Sequence, residues 1–167
     1  MKKFVFIFTL ISGFVLLQSC SGPEGPRGPQ GVPGPASEVF EVTTSFTSSN
    51  GYESIFNLNP PIYSSDVVLV YELAGAFNGR DIWKLLPQTY YFNEGTMSYN
   101  FDFTTHDFRL FMDSTFNLAL LDPSWKEQIT FRIVIVPGYF STSDIDFSDI
   151  EAVMSELNLT DSSFIQL

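Results

Sequence analysis

Histidine occurs once in this chain, at position 106, with Asp102 and Asp107 close by in sequence. An imidazole near carboxylates is the raw material of acid–base chemistry. No G-x-S-x-G stretch supplies a nucleophile elbow beside it. Thr104-Thr105-His106-Asp107 reads as a connection between strands, and His106 as a loop residue. One histidine cannot build a His₂ or His₃ metal centre within one chain. A second cluster, Asp144-Ile145-Asp146-Phe147-Ser148-Asp149-Ile150-Glu151, spaces its carboxylates like part of a calcium loop. Asp149 stands where such a loop needs glycine, and helix capping accounts for the same residues. Trp83, Trp125, Tyr90, Tyr91 and Tyr99 are of the type that stacks on sugars or peptide side chains. Aromatic residues at strand spacing are core, whereas Asp122-Pro123-Ser124-Trp125-Lys126-Glu127 reads as a loop. Trp125 is therefore the candidate binding surface, because loop aromatics carry recognition. No catalytic residue, metal site or cofactor is assigned.

The elements that must position these residues are strands. Glu38 to Val42, extendable to Thr47, begins the series. Ser48-Ser49-Asn50-Gly51 reads as a hairpin turn returning through Tyr52 to Leu58, which Asn59-Pro60-Pro61 ends. Asp66 to Leu73 is the most apolar internal run and predicts a central strand covered on both faces. After the turn at Asn78-Gly79, Ile82 to Phe92 reads as a strand bent or interrupted at Pro87. Met97, Tyr99, Phe101 and Phe103 alternate with Ser98, Asn100 and Asp102, the period-2 signature of a strand. Asp107 to Met112 and Ile129 to Val136 complete the set. Ile150, Val153, Met154 and Leu157 instead fall at i, i+3, i+4 and i+7, one face of a helix capped by Asp146 or Ser148. That helix is expected on a sheet edge or at one end of the sheets, with a last short strand at 163–167. The reading is a mainly β protein: an antiparallel β-sandwich of immunoglobulin-like or jelly-roll architecture with one short C-terminal helix. The absence of a Cys…Trp…Cys pattern argues against a true immunoglobulin domain.

The first twenty residues have a different character. Lys2 and Lys3 are followed by an uncharged run from Phe4 to Leu17, closed by Leu17-Gln18-Ser19-Cys20. A transmembrane span needs roughly 20 apolar residues, and a signal-peptide core needs fewer. The segment resembles a bacterial lipoprotein signal. That resemblance implies cleavage before Cys20, diacylation of its sulfur and acylation of the new amino group. It also implies attachment to a membrane through that lipid. One acyl chain holds a protein only reversibly, whereas two or three anchor it firmly. For a Gram-negative source, Ser21 gives no aspartate-type retention signal, which by analogy with lipoprotein sorting points to the outer membrane. Once Cys20 is lipidated no thiol remains, so disulfides, Cys-ligated metals and thiol nucleophiles are excluded.

Charge narrows the partners. The chain holds eight basic and nineteen acidic residues. Losing Lys2 and Lys3 leaves six basic against nineteen acidic, a net charge of −13. Such a surface repels nucleic acid and anionic lipid.

Between anchor and strands lie five consecutive triplets, from Gly22-Pro23-Glu24 to Gly34-Pro35-Ala36. Only glycine fits the crowded axis of a collagen triple helix, and proline pre-sets the polyproline II torsions. The segment is read as a stiff single-chain spacer spanning about 45 Å at ~3.1 Å per residue. A homotrimer with a real triple helix is the alternative, since membrane anchoring raises local concentration. The organisation is thus 1–19 signal peptide, 20–36 lipidated cysteine plus stalk, and 37–167 β-sandwich with C-terminal helix.

A lipobox, Gly-Pro-x-Gly-Pro triplets and a β-domain carrying Asp66-Val67-Val68-Leu69-Val70-Tyr71, Trp83-Lys84-Leu85-Leu86-Pro87-Gln88-Thr89 and Phe131-Arg132-Ile133-Val134-Ile135-Val136-Pro137 resemble the short collagen-like lipoproteins of the Bacteroidota. The resemblance implies an address in the cell envelope and an architecture, not an activity. Asp113-Ser114-Thr115 matches the O-glycosylation sequon of extracytoplasmic proteins in that group, with Ser114 the acceptor; a polar turn after Met112 accounts for it equally. Three functions follow as expectations: a non-enzymatic structural or binding domain with a protein or glycan ligand, a trimeric adhesin, and an envelope hydrolase with an unidentified site.

Overall fold

The computed structural model describes residues 37–138, 140, 145–160 and 163–166. Cys20 and the Gly-X-Y triplets lie outside the described residues. Nine strands and one helix are described: β1 (Glu38–Thr44), β2 (Glu53–Asn57), β3 (Val67–Phe77), β4 (Arg80–Leu85), β5 (Gln88–Phe92), β6 (Gly95–Phe103), β7 (Asp107–Ser114), β8 (Ile129–Val136), α1 (Ile150–Glu156) and β9 (Phe164–Gln166). They form one sheet in the order β4-β3-β8-β1-β9 and another in the order β2-β7-β6-β5. All pairings are antiparallel except β9, which runs parallel to β1.

The expected β-sandwich follows from period-2 alternation. Phe40 and Val42 of β1, Val68 and Val70 of β3, and Phe131, Ile133 and Ile135 of β8 face inward from the five-stranded sheet. Met97, Tyr99, Phe108, Leu110 and Met112 meet them from the other sheet. Phe56 and Phe108 stack at 5.1 Å in the same core. The alternate residues of the five-stranded sheet, among them Val39, Leu69, Tyr71, Val134 and Val136, are apolar too and pack against Ile150, Val153, Met154 and Leu157. The helix is therefore not at a sheet edge or end. It covers the outer face of the five-stranded sheet as a third layer, because that face offers the apolar surface its own stripe requires. This is why Asp66–Leu73 reads as apolar on both sides.

Three local expectations change. The 48–51 turn is not a hairpin: Thr47 caps a 3₁₀ turn, Ser48–Asn50, and the chain passes from β1 in one sheet to β2 in the other. β1 finds its partner in β8 instead, where Phe131, Ile133 and Ile135 continue its inward row. The interruption at Pro87 is likewise a change of sheet, β4 belonging to one and β5 to the other. The cap of α1 is Asp149, whose Oδ1 accepts from the backbone N–H groups of Glu151 (3.0 Å) and Ala152 (3.2 Å). Asp146 is occupied one turn earlier, accepting from Ser148 N–H and Oγ–H. By contrast, Asn78-Gly79 turns β3 into β4 with both residues at positive φ, the two-residue hairpin that this dipeptide favours.

Candidate functional site

Along β3 the inward row runs Val68, Val70 and then Glu72. A carboxylate thus takes a core position, with only 5 % of its surface exposed. Burying an ionised group costs free energy unless it is paired and hydrogen-bonded. Tyr90 meets that demand with a hydrogen bond, and Lys84 offsets it in part through its charge. Lys84 of β4 is the cross-strand partner of Glu72. Tyr90 of β5, in the opposite sheet, donates its hydroxyl to Glu72 Oε2 at 2.8 Å. The Lys84 ammonium lies 5.2 Å from the centre of the Tyr90 ring, within range of a cation–π contact.

The second wall is the connection from β7 to β8. Asp122 caps a 3₁₀ turn, Pro123–Trp125, by accepting from Ser124 N–H and Oγ–H. The turn is fastened to the sandwich at two points. Tyr99 donates its hydroxyl to the Trp125 carbonyl at 2.6 Å, and the N–H of the core residue Phe46 donates to the Lys126 carbonyl at 2.7 Å. The Trp125 ring packs edge-on to Tyr90 (4.7 Å) and Phe92 (5.2 Å). Trp125 is therefore half-buried and wedged, not a free loop aromatic, because the two inward rings of β5 leave it an apolar seat.

Between these walls lies an open cleft of about 400 Å³, lined by Glu72, Lys84, Tyr90, Tyr99 and Trp125, with Ser124, Glu127, Gln128 and Thr130 toward its rim. Its volume is in the range of small-molecule sites, roughly 300–1,000 Å³. Burial pushes the Glu72 carboxyl above the ordinary range, against the pull of the Tyr90 hydrogen bond and the Lys84 charge. Burial, then Glu72, pushes the Tyr90 phenol up, so it is held protonated and serves as a donor. Tyr99 is raised by burial first, then by the charge of Glu72 and by Tyr90. The arrangement offers acceptor, donor and aromatic surface in one hollow, the mixture that fixes and orients a polar ligand.

Among the other hollows, one of about 170 Å³ also gathers charged groups, Arg80, Asp81, Arg132 and Glu151, around Trp83, whose ring the Arg132 guanidinium covers. A wider one of about 490 Å³ is lined by one side of α1 and the turn after it, including Met154, Ser155 and Asn158. Another of about 170 Å³ lies among Pro60, Pro61, Tyr63 and Asp66. Its buried carboxylate is structural: Asp66 accepts from Tyr63 N–H (3.0 Å) and Gly138 N–H (3.2 Å).

The remaining sequence candidates fall elsewhere. His106 is exposed at the β6–β7 hairpin tip, its Nδ1 2.9 Å from the Thr105 hydroxyl. Asp107 accepts there from the Thr104 hydroxyl, and Asp102 is engaged by Arg109, whose hydrogen bond holds its carboxyl below the usual range. These groups do not meet in a cleft. Asp144 lies outside the described residues; Asp146 and Asp149 are taken up by capping, and no group of three metal-ligating side chains occurs among the described residues. Trp83 carries the Arg132 guanidinium 4.1 Å from its ring centre, and Tyr91 is 83 % exposed. The strand that contains Ser114 runs on past Met112, and the Ser114 hydroxyl donates to Thr96 O and accepts from Phe116 N–H.

Sequence reasoning missed Glu72 and Lys84. The signal was present for Glu72: counting by twos from Val68 through Val70 places it on an inward row. No helix among the described residues is long and apolar enough to cross a membrane. No protein-family model, no curated protein and no solved structure matches this chain.

Proposed function

We propose that this chain is a lipid-anchored cell-envelope protein whose β-sandwich is a non-enzymatic binding domain on a stiff stalk. Its binding site is the Glu72–Lys84–Tyr90–Trp125 cleft. One observation carries the binding reading: a carboxylate occupies an inward core position and borders a cleft prebuilt by hydrogen bonds from both walls. An apolar residue there would stabilise the sandwich at least as well, since buried ionic groups seldom improve stability over apolar ones. The anchor rests on the placement of the only cysteine, at the end of an uncharged run behind two lysines. The stalk rests on five glycines held in register.

Metabolic labelling with a palmitate analogue tests the anchor: the wild-type chain takes up label and stays with membranes, and Cys20→Ser does neither. Label on the Cys20→Ser chain, or none on wild type, overturns it. Protease shaving of intact cells then separates two addresses. Loss of the domain places it outside the cell, and protection until the outer membrane is opened places it in the periplasm.

The trimeric adhesin is the second reading, favoured by the strict glycine register itself. It requires a trimer that dissociates when Gly28→Val crowds the triple-helix axis. A stiff spacer requires a monomer that this substitution leaves unchanged, which sedimentation of the mature chain decides.

A further inference from the structure

We infer that the cleft takes a neutral carbohydrate, with Glu72 and Lys84 hydrogen-bonding its hydroxyls and the half-buried Trp125 ring meeting its C–H surface. This rests on the binding-domain reading above and names the ligand class for that site.

Charge balance is the first argument. Glu72 and Lys84 sit opposite one another on adjacent strands in the same wall. An anionic ligand meets Glu72, the rim carboxylate Glu127 and an acidic domain. A cationic ligand meets Lys84, which already lies over the Tyr90 ring where an incoming cation would stack. A neutral ligand meets neither penalty.

The second argument is hydrogen-bonding capacity. Tyr90 engages only Oε2 of Glu72, so Oε1 is available as an acceptor. Lys84 brings an ammonium with three donors, Gln128 an amide that donates and accepts, and Ser124 a hydroxyl oxygen whose proton Asp122 already holds. Sugar hydroxyls both donate and accept, so each can be matched. A purely apolar ligand would leave the buried Glu72 acceptor unpaired, which is costly.

The third argument is rigidity. Trp125 is set by its contacts to Tyr90 and Phe92 and by the Tyr99 hydroxyl on its carbonyl. A wall ordered in advance reduces the entropy cost of binding a flexible, well-hydrated ligand. Aromatic rings present a negative face to polarised C–H groups, which a pyranose offers on one side.

The test uses the mature full-length chain in detergent on an array of neutral, uronic-acid-containing and amino-sugar oligosaccharides. Calorimetry of the best neutral binder follows. Retention of neutral glycans is expected, with at least a tenfold loss of affinity in Glu72→Gln and in Trp125→Ala. Tyr91→Ser, on the outward face of β5, leaves affinity unchanged. Glu72→Gln keeps the shape of the site should Trp125→Ala fail to fold. Binding of charged glycans alone, or neutral binding indifferent to both cleft substitutions, overturns the inference. To separate it from the broader reading, Glu127 is replaced by a photo-crosslinking p-benzoylphenylalanine in cells. An adduct formed in the envelope with no glycan retained on the array sinks the carbohydrate inference and leaves the binding domain standing. Neither adduct nor glycan sinks both.

Discussion

The Tyr90 hydroxyl of β5 reaches across to the Glu72 carboxylate of β3 and ties the two sheets together where the sandwich opens into its cleft. Tyr90→Phe removes the donor and strands a buried carboxylate. The expected loss is about 1–3 kcal/mol of unfolding free energy, the usual cost of an unsatisfied buried group. Glu72→Gln, which keeps an acceptor for Tyr90, is expected to cost less. Urea unfolding of both variants checks the order; a Tyr90→Phe chain as stable as wild type would show that the bond contributes nothing.

The same residue predicts a pH dependence. Burial raises the Glu72 carboxyl above its ordinary 4.5, so the folded chain holds this proton more tightly than the unfolded one. The stability it contributes is present below the unfolded value and is lost as pH rises through the folded value. The opposite sign holds for Asp102, lowered by its hydrogen bond to Arg109, and for Asp122 and Asp146, lowered by their serine partners. Their contributions fade as pH falls. The difference between wild type and Glu72→Gln isolates the first effect. Relative to the variant, wild type is expected to lose stability from about pH 4.5 upward and then level off. Denaturant midpoints of the two chains across pH 4.5–7.5 give the comparison, and parallel curves would count against it.

Asp66 and Gly138 form a second fixed point, at the end of β8. Asp66 is 8 % exposed and its two oxygens accept from the backbone of Tyr63 and Gly138. Asp66→Ala leaves two N–H groups without their acceptor, and a loss of about 2–3 kcal/mol is expected. Gly138→Ala fails for a different reason. Its Cβ would lie 2.5 Å from the Ser65 carbonyl oxygen and 2.6 Å from Ser65 Cβ, so backbone must shift, at about 1–3 kcal/mol. Thermal unfolding measures both.

Asp149 supplies the side-chain cap at the N-terminus of α1. Asp149→Ala is expected to lower stability by about 1 kcal/mol, and Asp149→Ser to restore most of it. Amide exchange in residues 150–157 should quicken in the alanine variant while β8 stays protected. Equal exchange in both segments would mean that the helix does not open separately from the sheet.

The strands were legible because period-2 alternation and Pro/Gly punctuation are local: Ile129 to Val136 and the Met97–Phe103 row need no partner to be recognised. The helical stripe of Ile150, Val153, Met154 and Leu157 was legible for the same reason. Partnership was not. A turn at Ser48–Gly51 looks alike whether the chain returns beside itself or crosses to another sheet. The choice was made by β8, some 90 residues away, whose inward row matches that of β1. The seat of α1 likewise depended on Val39, Leu69, Tyr71, Val134 and Val136 gathering from three strands into one apolar face.

By itself, the sequence determined the single cysteine behind an uncharged run, the glycine register of residues 22–36, the acidic charge and the mainly β composition. Each is a property of neighbouring residues or of totals. Only the tertiary structure decided that His106 stands at an exposed tip and that Trp125 is wedged against Tyr90 and Phe92. It alone brought Glu72, Lys84, Tyr90 and Trp125 to one cleft. Those four come from three strands in two sheets and a connecting turn, and the hydrogen bonds that make them a site cross between elements that no local pattern relates.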